Sequence, residues 1–251
     1  MKLVRRFLTL PDLKTGDNIQ KFYKAASFCK ADNGYQLLLD GRKIHTPEKQ
    51  LFVLPTELLA LCISHEWQVQ EKFIHQHRMP LTNLASSALD LTVTQFRPVF
   101  EARVLSFLRN DLVCFREDEE EIKTKQDALF NPIIKYLEDK YQILLNVSHG
   151  ISAPDIPEKS LEMLNKYLSG KDEFFVVALE AAATISKSTA IAIALLDEFV
   201  SIEKAVECLR FEENVNMLEF GKIEGTHDVD ESYETMVISA AKNLVRLSKV
   251  N

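Results

Sequence analysis

Histidines, cysteines and carboxylates are the side chains of this 251-residue chain that could do chemistry, and their spacing organises little of it. His65, His75 and His77 form an H-x9-H-x-H series. It lacks the i,i+4 pair that sets two imidazoles on one helix face for zinc, and Val69 stands where His65-Glu66 would need the second histidine. A surface His-x-His turn between two helices is expected instead. His227-Asp228 is adjacent only in sequence, which does not make a dyad. Cys29, Cys62, Cys114 and Cys208 are far apart, form no C-x-x-C pair and sit among apolar neighbours. They read as buried free thiols in a reducing compartment. There is no G-x-S-x-G elbow for a serine nucleophile, and no G-x-G-x-x-G or G-x-x-x-x-G-K-[ST] loop to cradle a phosphate. The carboxylates are many, but nothing places two of them in contrasting environments as an acid and a base. No catalytic residue, metal or cofactor is expected, and the chain does not read as an enzyme.

Two constellations suit binding better than catalysis. Glu66-Trp67-x-x-Gln70 contains the only tryptophan of the chain. Trp67 either plugs a seam between sheet and helices or enters a partner groove, where aromatics are enriched. The second constellation is Arg210 to Asp230, RFEENVNMLEFGKIEGTHDVD. It sets Glu212, Glu213 and Glu219 on a helix before an irregular Gly221-to-Gly225 stretch. Between Asp197 and Glu234 stand twelve acidic side chains and three basic ones, a local charge of −9 on a chain whose net charge is −7. An acidic helical surface is commonly just solvated, but it would also steer a basic partner segment.

The elements that position these residues fall into an order. Residues 1–21 begin basic and apolar and read as an N-terminal arm, too short in its apolar run for a secretory signal. Residues 22–54 read as strands, with Asp32-Asn33-Gly34 and Asp40-Gly41 as hairpin turns. Thr56 is a good N-cap for an apolar helix running to Gln70 or beyond. LTNLASSALDLT is a second helix, and helical spacing dominates the rest of the chain: 99–115, then 123–141 with a break or kink at Pro132, then SLEMLNKYL closed by Gly170. The run from Phe174 to Val200 is cut by Glu180 and Lys187 into pieces far short of the roughly 20 residues of a membrane span, so it reads as one or two core helices. The acidic run Glu117–Glu121 reads as a solvated loop or helix start. The fold class is therefore α+β: an arm (1–21), a small, mostly antiparallel α+β domain (22–79), and a larger all-helical domain (80–251). The acidic balance argues against nucleic acid as partner, because phosphate binding needs a basic footprint.

The collinear set LLDGR-x-x-x-TP, EW-x-x-Q and MPLT-x-LA-x-x-A-x-D, followed by NDLVCFRE, NPIIKYLEDKY, SKSTAIAIALL and RFEENVNMLEFGKIEGTHDVD, resembles the ATP synthase F(1)-sector assembly chaperones that act on the alpha subunit. The resemblance implies an N-terminal α+β domain followed by helices, and a chaperone that needs no nucleotide. Its implied partner is the unassembled alpha subunit, held until beta joins, with no membrane insertion and a monomer when free. Residue by residue it points to Glu66, Trp67, Gln70, Arg210, Glu212, Glu213, Gly221 and Glu224 as partner-binding candidates. The chain departs from the family pattern at Asn214, Val215, Asn216 and Phe220. Charge reversal at Glu213 is expected to spare the fold, and Trp67→Arg to damage it. The family occurs in the mitochondrial matrix and in bacteria; a bacterial cytoplasm is the favoured compartment. An adaptor for another partner and a hydrolase are the rival classes.

Overall fold

The structure, a computed structural model, describes residues 19–150, 152–221 and 227–249. It divides into two compact units, residues 1–93 with 246–251, and residues 94–245. The sequence pattern places this boundary at 79/80. Helix LTNLASSALDLT instead groups with the first unit, because its N-terminus is hydrogen-bonded to Glu66 there.

The first unit is built around a hairpin. β2 (Ala26–Ala31) pairs antiparallel with β3 (Gly34–Leu39), joined by Asp32-Asn33. The far edge of β3 takes β4 (Arg42–Lys43) at one end and β5 (Val53–Leu54) at the other. Gly34 is required twice over: its φ is +139°, and an added Cβ would lie 2.2 Å from the Leu54 carbonyl oxygen. Asp40-Gly41 has positive φ at both positions (48° and 76°), the left-handed pair that a two-residue hairpin turn needs. The Asp40 carboxylate accepts the backbone N–H groups of Lys24 and Ala25, which hold its pKa below the usual carboxylate value.

Thr56 caps α1 (Glu57–Gln68) as expected, accepting the Leu59 N–H at 3.2 Å; its own hydroxyl donates to the Leu247 carbonyl at 2.6 Å. A second small ladder pairs β1 (Ile19–Gln20) with β6 (Phe73–Ile74), and a 3₁₀ turn (Gln76–Arg78) leads into α2 (Pro80–Leu91). Proline suits the start of α2, where its missing N–H costs nothing. Tyr23, Leu39, Ile74 and Met79 form a buried cluster, with Ala26, Ile44 and Trp67 packed on it.

The second unit is helical, with a two-residue parallel ladder, β7 (Phe115–Arg116) on β8 (Ser148–His149). α3 (Arg97–Arg109), α4 (Glu120–Tyr141), α5 (Glu158–Ser169), α6 (Glu173–Ser186), α7 (Thr189–Leu196), α8 (Ile202–Leu209), α9 (Phe211–Phe220) and α10 (His227–Leu247) come in order, the last running on to the first unit's C-terminal residues. α4 passes through Pro132 without a break, and its acidic start is exposed. The long apolar run is two helices. They separate at Lys187, in the left-handed region at φ 51°, and Ser188 caps α7. Every residue of α7 is buried. Its alanines and those of α6 remove the side-chain bulk that would hold neighbouring helices apart.

Two buried charges lock this unit. Asp111 accepts the Ser188 hydroxyl and the N–H groups of Val113 and Ala190, tying the end of α3 to the start of α7; burial raises its pKa to about 6. Arg116 donates to Asp127, Asn131 and the carbonyls of Val113 and Phe115, so its burial leaves little unsatisfied. Among the described residues no helix is long and apolar enough to cross a membrane, and no group of His, Cys, Asp and Glu could hold a metal. Of the four cysteines, Cys114 and Cys208 are buried and Cys62 half-buried. Cys29 is exposed, because alternate residues of β2 face solvent.

Candidate functional site

The Glu-Trp-x-x-Gln constellation is mostly turned inward. The Glu66 carboxylate accepts from Leu81 N–H (2.9 Å), Thr82 N–H (2.7 Å) and the Thr82 hydroxyl (2.7 Å). It therefore serves as the N-terminal cap of α2, where Met79 at the cap position has no side-chain acceptor. Desolvation is the larger influence on Glu66 and raises its pKa despite those donors. Gln70 lies just past the end of α1 and is buried. Its Nε2 donates to the Glu66 carbonyl at 3.0 Å, and its Oε1 accepts His75 N–H at 2.8 Å, pinning the end of β6. Trp67 is half-buried against Tyr23, ring centroids 5.7 Å apart, and its carbonyl accepts the Tyr23 hydroxyl at 2.6 Å. Its indole N–H is buried and has no partner among the described residues.

The other two signature pieces meet in the same way. Asp90, which ends MPLT-x-LA-x-x-A-x-D, is buried facing the Thr46 hydroxyl and the Glu48 backbone at the end of LLDGR-x-x-x-TP, and its Oδ1 has no hydrogen-bond partner among the described residues. The motifs that carry the resemblance are thus largely contacts of the fold with itself.

The acidic segment is different. Arg210 is 2% exposed and donates to Glu234 at 2.5 Å and Glu213 at 3.1 Å, joining α9 to α10. A lysine at 213 would face this buried guanidinium, so charge reversal there tests the fold as well as binding, contrary to the expectation from sequence. Asp197 is also internal, accepting from tyrosine hydroxyls, and Glu207 pairs with Lys204. Folding thus thins the acidic surface that the residue count suggested. Glu212, Asn216 and Glu219 stay open on α9, spaced i, i+4, i+7 along one face.

Beside that face runs a second stripe, Phe211, Val215 and Leu218. Phe211 is anchored on Phe130 (centroids 5.8 Å apart), Val215 is half-buried, and Leu218 is 86% exposed. None of the α9 side chains described is buried. Gly221 ends the helix with φ +88° and open space where a Cβ would be, so conformation rather than crowding favours glycine. Glu224 lies outside the described residues. The two constellations belong to different units, Glu66, Trp67 and Gln70 to the first, Arg210, Glu212, Glu213 and Gly221 to the second. Leu218 lies within the Arg210-to-Asp230 segment but is not among the partner-binding candidates of the sequence. Its signal is an apolar residue next to Glu219, on the helix that carries the acidic face.

Comparison with known proteins agrees with this architecture. The family model described as ATP12 chaperone protein matches residues 20–138. The mitochondrial protein atp12 of Schizosaccharomyces pombe is 26% identical over 228 residues, 85% of this chain and 77% of that protein. The mitochondrial ATP12 of Saccharomyces cerevisiae is 26% identical over 256 residues, covering 84% and 79%. The crystal structure of Atp12 from Paracoccus denitrificans superposes with a TM-score of 0.79 at 25% identity over 92% of this chain and 99% of that one. The Atu1473 protein of Agrobacterium tumefaciens shares the fold, with a TM-score of 0.84 at 20% identity over 99% and 98%.

Proposed function

This chain belongs to the ATP12 chaperone family, and from that premise we propose that it is an ATP synthase assembly chaperone binding the unassembled alpha subunit of the F(1) sector. The observation that carries the reading is α9. A helix with no buried side chain among those described costs stability unless its surface has another use, because most helical stability comes from packing. Leu218 offers an apolar contact at the open end of that helix, and Glu212 and Glu219 flank it with negative charge.

An alpha subunit that lacks its neighbour exposes an apolar patch, and patches of that kind aggregate. Leu218 and Val215 would cover part of it while Glu212 and Glu219 select a basic rim and set the approach. The small size of the stripe suits a partner that must leave when beta arrives. The role of Glu66, Trp67 and Gln70 in this reading is indirect: they hold the first unit together, and their loss would lower the amount of folded chaperone. No hydrolysis is needed for such a cycle, so the chain acts without cofactor, as a monomer when free, in the matrix or bacterial cytoplasm where the alpha subunit is assembled.

The test is a pull-down of separately expressed alpha subunit by the wild-type chain, by Leu218→Ser and by the double variant Glu212→Lys/Glu219→Lys. The wild type should retain the alpha subunit and both variants should retain much less, with unchanged melting temperatures because all three positions are exposed. A wild-type bait that is folded yet captures no alpha subunit overturns the proposal. Undiminished capture by both variants removes α9 from it.

A further inference from the structure

Between the end of α4 and α5 lies a cavity of about 330 Å³, lined by Lys140, Tyr141, Gln142, Met163, Lys166 and Tyr167. Behind the lining, tied to Lys140, Tyr141 and Tyr167, stands an aspartate that is already satisfied. Asp197 accepts the hydroxyls of Tyr141, Tyr136 (3.1 Å) and Tyr167 (3.4 Å), and pairs with Lys140 at 3.3 Å. Lys140 is itself held: its ammonium donates to the Tyr136 hydroxyl at 2.6 Å and lies 5.0 Å from the centroids of the Tyr136 and Tyr141 rings. In the lining Tyr141 and Tyr167 meet edge to face at 4.7 Å, and behind them Tyr136 stacks on Phe199 at 4.1 Å.

Two polar groups of the lining are left over. Among the described residues, the Lys166 ammonium and the Gln142 side-chain carboxamide enter no ion pair or hydrogen bond. Because Lys140 offsets Asp197, Lys166 is the uncompensated charge of the site, positive on a chain whose net charge is −7. Glu138 and Glu162 stand one turn before Gln142 and Lys166, but neither lines the cavity. The apolar surface available to a guest is the Met163 side chain and the tyrosine ring edges. Methionine adapts to irregular shapes and makes favourable contacts with aromatic rings.

We propose that this cavity is a binding site for a polypeptide carboxylate adjoining an apolar side chain: the apolar group against Met163 and the tyrosines, the carboxylate on Lys166, and Gln142 donating to it. A concave, largely apolar site with a few convergent polar groups is the usual form of a small-ligand pocket, and this volume is near the lower end of that range. The site does not depend on the chaperone reading and is measured on the free chain, so the two proposals fail separately.

The probe is a fluorescein-labelled peptide, Gly-Phe-Glu-Gly with blocked ends, titrated with the full chain by fluorescence anisotropy. The matched Gly-Phe-Gln-Gly peptide and inorganic phosphate serve as controls. The glutamate peptide should bind at least about tenfold tighter than the glutamine peptide, and Lys166→Glu should abolish that preference. Raising salt should weaken it, as expected for a partly exposed ion pair. Lys166→Met, which keeps an unbranched stem of similar length and removes the charge, should give the same loss with an unchanged melting temperature. Equal binding of the two peptides, no binding, full retention by either Lys166 variant, or equal displacement by phosphate would each overturn the site as a peptide-carboxylate pocket.

Discussion

Replacing the half-buried Glu66 by alanine should unfold the first unit more easily. The carboxylate accepts three hydrogen bonds, two of them from the backbone N–H groups of Leu81 and Thr82 at the first turn of α2. Met79 supplies no alternative cap, so alanine leaves two helix donors and a hydroxyl to be satisfied by water that must first enter. A lost cap costs about 1–2 kcal/mol, and a hydrogen bond to a charged group contributes about 1.5–3 kcal/mol. Part of this is offset because the burial that raises the Glu66 pKa also ends. The net loss should be about 2–3 kcal/mol, or about 5–10 °C in melting temperature for a chain of this size.

Trp67 is the only tryptophan and lies beside Glu66 in the first unit, so its fluorescence in a urea titration reports that unit alone. Glu66→Gln keeps one acceptor and the shape, and should lose about half as much. A Glu66→Ala chain within about 0.5 kcal/mol of wild type that no longer captures the alpha subunit would make Glu66 a contact residue rather than a cap.

Two further outcomes are expected. Trp67→Arg should lower stability by at least about 2 kcal/mol, since it removes the packing on Tyr23 and sets a charge against a buried apolar cluster; unchanged thermal unfolding would contradict this. Asp111 gives a pH signature. Its pKa is raised by burial from 3.8 to about 6, so between those values the native state binds the proton more tightly than the unfolded one. The stability tied to this group is therefore fully present below about pH 4 and falls by about 3 kcal/mol as pH rises through 6. Asp111→Asn should lose that slope. Melting temperatures of the two chains compared from about pH 4 to 7 should diverge, and parallel profiles would show that Asp111 does not titrate as its burial implies.

Much of the architecture is legible because it arises from local chemistry. Thr56 announces α1, Asp40-Gly41 the tight turn, and Lys187 and Glu180 exclude a membrane span. Boundaries are less legible where tertiary contacts override local preference. Pro132 is expected to interrupt a helix, yet α4 continues through it, and α2 belongs with the sheet because Glu66 reaches its first turn. Glu213 looks like a free surface charge, since nothing in the sequence places Arg210 between it and Glu234.

The class of answer is written in the chain. Period-2 and period-3.6 patterns, turn residues and caps act over a few positions, and the collinear motifs identify a chaperone family without a phosphate loop. The use of individual charged residues emerges only on folding. A carboxylate's role depends on which donors face it, and those come from distant segments: Thr82 to Glu66, Thr46 to Asp90, Arg210 to Glu234, three tyrosines to Asp197. Part of the acidic excess counted along the chain is therefore used inside the fold, at Asp197, Glu213 and Glu234, while Glu198, Glu203, Asp228 and Glu231 stay exposed beside the open Glu212 and Glu219 of α9.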